Sequence, residues 1–329
     1  MSKVRIIFGV AISLVFLYMA VRNVEWQTVL SSLKEIDLVF LALTVVCLFV
    51  SILFRALLWK SLLKFKKKVS CVHAFEAIII GYMGNNVLPF RMGELIRAYA
   101  MGKKEGLSKT FMLASIVLER LLDVMSLLIF FAVLFLSVQL ADWLVLSGVV
   151  IFAFLVLMGV LVYFIAKDSW RFSSWLTRLL KYFPAAISHR AEGITQSFIQ
   201  GLGLIKNGSQ IIQVILLSLL VWSIWTACVY FGLKAFHLEL PITAPLLVVV
   251  VINMGVMIPS SPGFIGVFQY LCVASLAFFS VPKGTALGFS VVLHAIQYVP
   301  VTLLGWFYLT RMHLSLSRSL QTELEKSES

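Results

Sequence analysis

The stretch NNVLPFRMGELIRAY, residues 85–99, interrupts a hydrophobic part of the chain with charged residues and a helix breaker. Its ionisable residues, Arg91, Glu94 and Arg97, follow shortly after Pro89. A charged side chain costs about 2.5–3.5 kcal/mol at the centre of a membrane helix. Three such residues in one apolar segment therefore require a structural or functional reason.

The composition places the chain among membrane proteins. Of its 329 residues, 61% are hydrophobic and 13% are charged, and its mean hydropathy is +1.00. Soluble domains carry about 25% charged residues, so this composition excludes the soluble class. Several apolar runs approach or exceed the roughly 20 residues that cross a bilayer core as a helix. The sequence predicts an all-α polytopic membrane protein that forms a single integral membrane domain over residues 1–329.

The apolar runs predict about six transmembrane helices, and the basic residues orient them. Lysine and arginine concentrate in cytoplasmic loops. Lys3 and Arg5 therefore place the N-terminus in the cytoplasm, and Arg311 and Arg318 place the C-terminus there. The predicted spans are 6–21, 38–63, 111–138, 143–166, 209–233 and 285–310.

The net charge of +12 belongs mostly to the loops and does not indicate nucleic-acid binding. The run KFKKK at 64–68 is typical of contact with anionic headgroups on the cytoplasmic face. The basic segment 167–207 predicts a cytoplasmic amphipathic connection, and residues 312–329 predict a polar cytoplasmic tail.

Two further hydrophobic regions are interrupted by polar and helix-breaking residues. Region 71–100 has basic clusters on both flanks, 64–68 and 103–109, so both of its ends lie on the cytoplasmic face and it predicts a re-entrant hairpin. Region 242–281 satisfies the charge rule either as two full spans or as a hairpin, and the break PSSPGFIG at 259–266 favours the hairpin. The hairpin-breaking residues are Pro89, Gly93, Pro259, Pro262, Gly263 and Gly266.

The order of spans and hairpins predicts an internal repeat. Residues 38–138 and 209–310 each read as span, hairpin, span, but the first hairpin is entered from the cytoplasm and the second from outside. This pattern is typical of inverted-topology repeats, whose broken helices meet near the midplane and line a substrate site.

The charges of the first hairpin are candidates for headgroup binding. Glu94 lies three residues from both Arg91 and Arg97, so on a helix both arginines can flank one carboxylate. The set has a net charge of +1, and guanidinium groups bind phosphate through paired hydrogen bonds. The alternative is a structural Arg91–Glu94 pair that braces the turn.

A second charged cluster lies in VLERLLDV, residues 117–124. Glu119 and Asp123 share one helix face, and Arg120 lies one step round the helix. We expect the two carboxylates to be partners for Arg91 and Arg97. The alternative for Arg97 and Arg120 is that they snorkel to the cytoplasmic interface. Polar residues at hairpin depth either hydrogen-bond exposed backbone or contact substrate: Asn86, Ser260, Ser261 and Gln269.

Three motifs stand in order along the chain: NNVLPFRMGELIRAY, SIVLERLLD at 115–123 and PSSPGFIGVFQ at 259–269. Together they resemble the lysylphosphatidylglycerol synthase transmembrane-region family, also called flippase-like-domain proteins. The resemblance covers almost the whole chain. It implies a membrane fold with re-entrant helices and a role in moving or handling lipids in prokaryotic envelopes. In two-domain members, a soluble aminoacyl-transferring domain makes the lipid and the membrane region translocates it.

The resemblance carries over by position, with one departure. The family's third motif usually continues to an acidic residue, and Gln269 stands near that place, which puts an acidic proton or cation partner in doubt. Because the chain ends in QTELEKSES without a synthase domain, we expect that it does not itself aminoacylate lipids. The matching residues are Arg91, Gly93, Glu94 and Arg97 in the first motif, Glu119, Arg120 and Asp123 in the second, and Pro262, Gly263 and Gly266 in the third.

The sequence thus favours a lipid translocator in the inner (cytoplasmic) membrane. Its substrate is an anionic phospholipid, an aminoacylated phospholipid or a polyprenyl-phosphate-type lipid, and its partners are such lipids, a lipid-modifying enzyme or further copies of the chain. One alternative is an accessory or scaffold subunit of an envelope-lipid enzyme. Another is a membrane glycosyl- or phosphotransferase, which the dispersed carboxylates and the lack of a DxD motif disfavour. We expect no catalytic residues, cofactor or metal.

Overall fold

The computed structural model describes residues 3–64, 66–89, 91–137, 153, 208–256 and 261–312. These residues form helices, turns and loops and contain no strand, so the predicted all-α fold is confirmed. Except for residue 153, the predicted span 143–166 lies outside the described residues, as do the connection 167–207, residues 313–329 of the tail, Pro259 and Ser260. The helices are α1 Lys3–Val21, α2 Trp26–Lys34, α3 Leu38–Leu63, α4 Cys71–Val87, α5 Gly93–Glu105, α6 Lys109–Ser137, α7 Gly208–Ala235, α8 Thr243–Gly255, α9 Val267–Ala277 and α10 Lys283–Arg311, with a short 3₁₀ turn at Pro262–Phe264.

Four helices in the described part are long and apolar enough to cross a membrane: α3, α6, α7 and α10. Each coincides with a predicted span. The first predicted span, 6–21, corresponds to α1, but α1 is followed by a bend of 84° into α2, which the sequence did not predict. Asn23 has a φ of 57° in this bend. If α1 and α2 count as one broken span, the described residues hold five candidate spans.

Both predicted hairpin regions are broken helices. The first is α4 and α5, of 17 and 13 residues. The second is α8 and α9, of 13 and 11 residues. At 1.5 Å per residue, helices of these lengths reach only about 17–26 Å, less than the roughly 30 Å of a bilayer core. These lengths favour a hairpin over two full spans for 242–281.

The contacts along the chain define two compact units. The first comprises residues 1–54, 75–97 and 220–329, and the second comprises residues 55–74 and 98–219. Each unit has its own packing and its own polar cluster, described separately below.

Close backbone contact organises the first unit around the two broken helices. A Cβ atom on Gly93 would lie 1.9 Å from the carbonyl oxygen of Gly81, so α4 and α5 cross where only glycine fits. A Cβ atom on Gly305 would lie 2.4 Å from Cβ of Met83, which places α10 directly on α4. These contacts bring the C-terminal half of α4, the start of α5 and the last third of α10 together.

In the second unit, polar side chains join the transmembrane helices. Trp59 on α3 donates its indole N–H to the hydroxyl of Ser115 on α6, at 3.0 Å. Ser126 on α6 and Ser218 on α7 share a hydroxyl hydrogen bond of 2.8 Å. Buried hydroxyl and indole groups need such partners because no water is available to them.

Candidate functional site

Arg91 connects the first helix break to the second. It stands two residues before α5 in a left-handed backbone conformation, with a φ of 53°. Its Nη2 donates to the backbone oxygen of Val256, at 3.1 Å, and its guanidinium lies 5.6 Å from the ring centre of Phe264. Val256 is the residue that ends α8. The cation therefore lies at the C-terminal end of a helix, where backbone carbonyls lack helical partners and the helix dipole is negative.

The helical spacing predicted for Arg91, Glu94 and Arg97 is only partly correct. Glu94 and Arg97 lie on α5 and approach to 3.8 Å between Oε2 and Nη1, as the three-residue spacing predicts. Arg91 lies before the helix, because the left-handed residue marks the turn that precedes α5. Arg97 is 1% exposed. The structure therefore disfavours the alternative in which Arg97 snorkels to the interface.

Asn86 anchors the end of α4 to α10. Its side-chain Nδ2 donates to the hydroxyl of Thr302, at 2.8 Å. In return, the hydroxyl of Tyr298 donates to the backbone oxygen of Asn86, at 3.1 Å. The Tyr298 ring also fills the space beside Gly263, where an added Cβ would lie 2.5 Å from it. The end of α4, the second break and α10 thus meet at Tyr298. Asn86 contacts both the backbone and the side chain of this tyrosine.

The second break is held by hydrogen bonds to its own backbone and to α1. Gly266, with a φ of 89°, donates its N–H to Oε1 of Gln269, at 2.7 Å, which caps the start of α9. Nε2 of Gln269 lies 2.9 Å from Nδ1 of His294. Ser261 donates its backbone N–H to the hydroxyl of Ser13, at 2.9 Å, and its own hydroxyl donates to the Ile265 carbonyl, at 3.3 Å.

The second unit contains a compact network of four charges. Arg55 on α3 donates to Glu119, at 3.0 Å, and to both oxygens of Asp123, at 3.1 and 2.8 Å. Arg120 approaches Asp123 to 3.1 Å and Glu119 to 3.4 Å. The Glu119 and Asp123 side chains are 0% and 5% exposed. The charges of these four residues sum to zero, and their contacts link α3 to α6.

Sequence reasoning missed Arg55 as a partner of the second motif. Its signal was present, since Arg55 is a charged residue inside the apolar run 38–63 and such residues pair within the bundle. The predicted pairing of the two carboxylates with Arg91 and Arg97 joins residues of different units and stays a prediction. Arg120, whose side chain is 32% exposed, pairs within the network and also reaches the surface.

Sequence similarity over almost its whole length identifies the family of the chain. The pattern that defines the lysylphosphatidylglycerol synthase TM region matches residues 6–305. The chain belongs to this family. It is 25% identical over 320 residues to the UPF0104 membrane protein PH1989 of Pyrococcus horikoshii, covering 91% of this chain and 94% of that protein. It is 23% identical over 309 residues to a UPF0104 membrane protein of Methanothermobacter thermautotrophicus, covering 89% of this chain and 91% of the other. No solved structure matches.

In this member of the lysylphosphatidylglycerol synthase TM family, the two polar clusters have different chemical capacities. The charges of Arg91, Glu94 and Arg97 sum to +1, whereas those of Arg55, Arg120, Glu119 and Asp123 sum to zero. Guanidinium groups near a helix break suit an anionic ligand, and opposite charges in contact on two helices suit a brace between them. Among the described residues, no group of three or more His, Cys, Asp or Glu side chains is arranged to hold a metal ion.

Proposed function

We propose that this membrane protein translocates a lipid with an anionic headgroup across the cytoplasmic membrane. The substrate classes are phospholipids, aminoacylated phospholipids and polyprenyl phosphates. Support comes from the family, whose name joins the membrane region to a lipid synthase, and from the charged residues at the helix breaks. Both termini are proposed to be cytoplasmic, and no catalytic step is required.

The contact between Arg91 and Val256 carries the proposal. It joins the two helix breaks through a cation and a neutral carbonyl. A phosphate oxygen is a stronger acceptor for guanidinium than a neutral carbonyl, because both partners are then charged. An arriving headgroup can therefore compete with Val256 for Arg91 and remove this link between the two breaks.

This exchange couples binding to movement. When Arg91 binds Val256, a hydrogen bond connects the first break to the end of α8. When Arg91 binds a phosphate, this hydrogen bond is lost and the broken helices are able to rearrange around the lipid. Rocking of repeats about a midplane site is the expected mechanism for folds with broken helices. Glu94 and Arg97 would add one negative and one positive charge beside the headgroup and so tune its affinity.

Leaflet exchange in proteoliposomes tests the proposal. Purified protein is reconstituted with headgroup-labelled phosphatidylglycerol, lysyl-phosphatidylglycerol or a polyprenyl phosphate. The movement of labelled lipid from the outer to the inner leaflet is then followed over time. We expect wild type to accelerate exchange of one class. Arg91→Gln should slow it by about tenfold or more, because a hydrogen bond to a charged group contributes about 1.5–3 kcal/mol. Arg91→Lys, which keeps the charge but not the paired donors, should lie between them.

Arg311→Gln is the matched control, since it removes one exposed arginine from the end of α10. It should exchange lipid like wild type. If folded wild-type protein behaves like empty liposomes for all three lipid classes, the proposal is wrong. An accessory subunit is the competing function, favoured by the neutral acceptor that Arg91 contacts. It predicts that Arg91→Gln lowers the melting temperature and that no variant changes exchange.

A further inference from the structure

His294 is an ionisable residue at the second break that the proposed transport step does not use. It lies on α10, partly buried, with its ring stacked on Phe268 of α9 at 4.5 Å between centroids. Nδ1 of the ring lies 2.9 Å from Nε2 of the Gln269 amide. Gln269 in turn accepts from the backbone of Gly266, two residues after Phe264, over which the Arg91 guanidinium lies.

The hydrogen bonds fix which nitrogen of the ring carries the proton. The backbone N–H of Gly266 can only donate, so the atom of the Gln269 amide that faces it must be the oxygen. The amide NH₂ group therefore faces Nδ1 of His294, and Nδ1 must accept. A neutral imidazole then has its proton on Nε2.

We infer that Gln269 and His294 are positioning residues that hold the second helix break in its Arg91-receiving conformation only while His294 is neutral and protonated on Nε2. The inference deepens the proposed function and rests on it for its effect on transport. Its structural part, the protonation state of the His294 ring, can be measured whether or not the protein transports lipid.

A second proton on the ring would disrupt this arrangement. A hydronium ion would transfer the proton to Nδ1 and leave as water, and the new N–H would then face the NH₂ group of Gln269, donor against donor. To accept it, the amide must rotate and withdraw its oxygen from Gly266. The start of α9 would lose its cap, and Gly263 and Phe264 lie in the same turn. The conformation of the break is thereby linked to the charge on His294.

Among the described residues of the first unit, no carboxylate or cation contacts the His294 ring directly. Tyr298 meets it edge-on at 5.9 Å, and the Tyr298 hydroxyl donates to Asn86. From α2, the groups that pack on α10 are the neutral side chains of Thr28 and Ser32. Arg91 contacts Phe264 and Val256. Gln269 is therefore the group that decides the protonation pattern.

Gln269→Glu is the decisive variant because it reverses which partner must donate the hydrogen bond between residue 269 and Nδ1 of His294. One carboxylate oxygen can still accept from Gly266, but the other now faces Nδ1 as an acceptor. Nδ1 must then carry a proton, and the charge of the adjacent carboxylate favours the doubly protonated ring over the neutral tautomers. A carboxylate within about 4–6 Å raises the pH at which such a ring loses its proton by about 1–3 units. His294→Gln is the matched variant that keeps a polar side chain at this position but cannot titrate.

The first measurement is nitrogen NMR of protein labelled with ¹⁵N-histidine, in which His294→Gln identifies the His294 signals by their loss. We expect the Nε2-protonated tautomer in wild type at neutral pH and a doubly protonated ring in Gln269→Glu at the same pH. A wild-type ring protonated on Nδ1, or a Gln269→Glu ring unchanged from wild type, overturns the inference. This result holds whether or not the protein moves lipid.

The second measurement is the pH profile of leaflet exchange. The acid transition of the wild-type rate should move about 1–3 units towards alkaline pH in Gln269→Glu and should be absent in His294→Gln. If the three proteins have identical pH profiles, the charge on His294 is not coupled to transport and this part of the inference is wrong. If no protein exchanges lipid while the NMR result is as expected, the proposed function fails and the tautomer assignment stands.

Discussion

At the scale of single residues, the two helix breaks share an unusual feature. Arg91 in the first break and Phe264 in the second both have positive φ, 53° and 59°, although neither is glycine. Such a backbone costs about 1–2 kcal/mol for a residue with a side chain. The two residues contact each other through guanidinium and ring. Each break thus holds a strained residue against the other, which is typical of sites where conformation serves function.

Glu105, at the end of α5, supports a pH-dependent contact outside the candidate spans. Its carboxylate hydrogen-bonds His73 at 2.6 Å and pairs with Lys67 at 3.2 Å. Burial alone would raise the pKa of Glu105, but hydrogen bonds from His73, Lys67 and the Ser70 backbone outweigh it, so this pKa lies below its ordinary value. A carboxylate whose pKa is lowered by folding adds stability above its unfolded pKa of about 4.3 and loses it as pH falls through the folded value.

We therefore expect Glu105→Gln to lower the melting temperature in detergent at pH 7 and to converge on wild type as the pH falls below about 4. The loss at pH 7 should be on the order of 1 kcal/mol, since the Lys67 side chain is 47% exposed and its pairing is screened. Glu239→Gln is the control: it removes an exposed carboxylate paired with Lys234 and should change little. A difference between Glu105→Gln and wild type that persists unchanged at low pH would contradict the assignment.

At the scale of helices, the Arg55 network decides whether the second motif braces the bundle. Arg55→Gln would leave Glu119 and Asp123 buried with Arg120 as their remaining cation in the network. Removing one partner of a buried ion pair costs about 3–5 kcal/mol because a charge is left uncompensated. We expect a clear drop in melting temperature, partly reversed in the double variant Arg55→Gln/Asp123→Asn, which restores the charge balance.

Lys60→Gln removes a charge from the same helix, α3, and serves as the control for that experiment. It should melt close to wild type. If Arg55→Gln is as stable as Lys60→Gln, the network is not a brace. Loss of lipid exchange in Asp123→Asn at unchanged stability would instead favour the predicted role of these carboxylates at the substrate.

The elements also show how far sequence reasoning reaches. Pro89 and the PSSPGFIG run placed both helix breaks correctly, because proline and glycine act locally on the backbone. The bend before α2 was missed, since Asn23 gives no comparable signal. The backbone hydrogen bond of Gln269 agrees with one of the two predicted alternatives. Its contact with His294 was not predicted, because it depends on the packing of α9 against α10, which the sequence alone does not reveal.

At the scale of the whole chain, the described helices repeat a pattern of lengths. Helices α3 to α6 have 26, 17, 13 and 29 residues. Helices α7 to α10 have 28, 13, 11 and 29 residues. Two sets of long, short, short and long helices are what the predicted repeat requires. The inverted orientation of one set against the other is a prediction from the basic residues, and it can be tested directly.

The test is the sidedness of three engineered cysteines. Lys66→Cys and Lys103→Cys lie at exposed positions on the two flanks of the first hairpin. Glu239→Cys lies in the α7–α8 loop, where the Glu239 side chain is 78% exposed. A membrane-impermeant maleimide should label Glu239→Cys in intact cells, whereas both lysine positions should react only after permeabilisation, because basic flanks stay cytoplasmic.

The native cysteines set the background, and unmodified protein measures it: Cys228 and Cys272 are buried, and Cys47 and Cys71 are half-buried. Labelling of the two lysine positions from opposite faces would make 71–100 a single crossing, and the repeat would then lose its inversion. If both lysine positions are labelled from one face and Glu239→Cys from the other, the repeat keeps its inversion. In that case, the first hairpin enters from the cytoplasm, as basic clusters on both sides of a broken helix require.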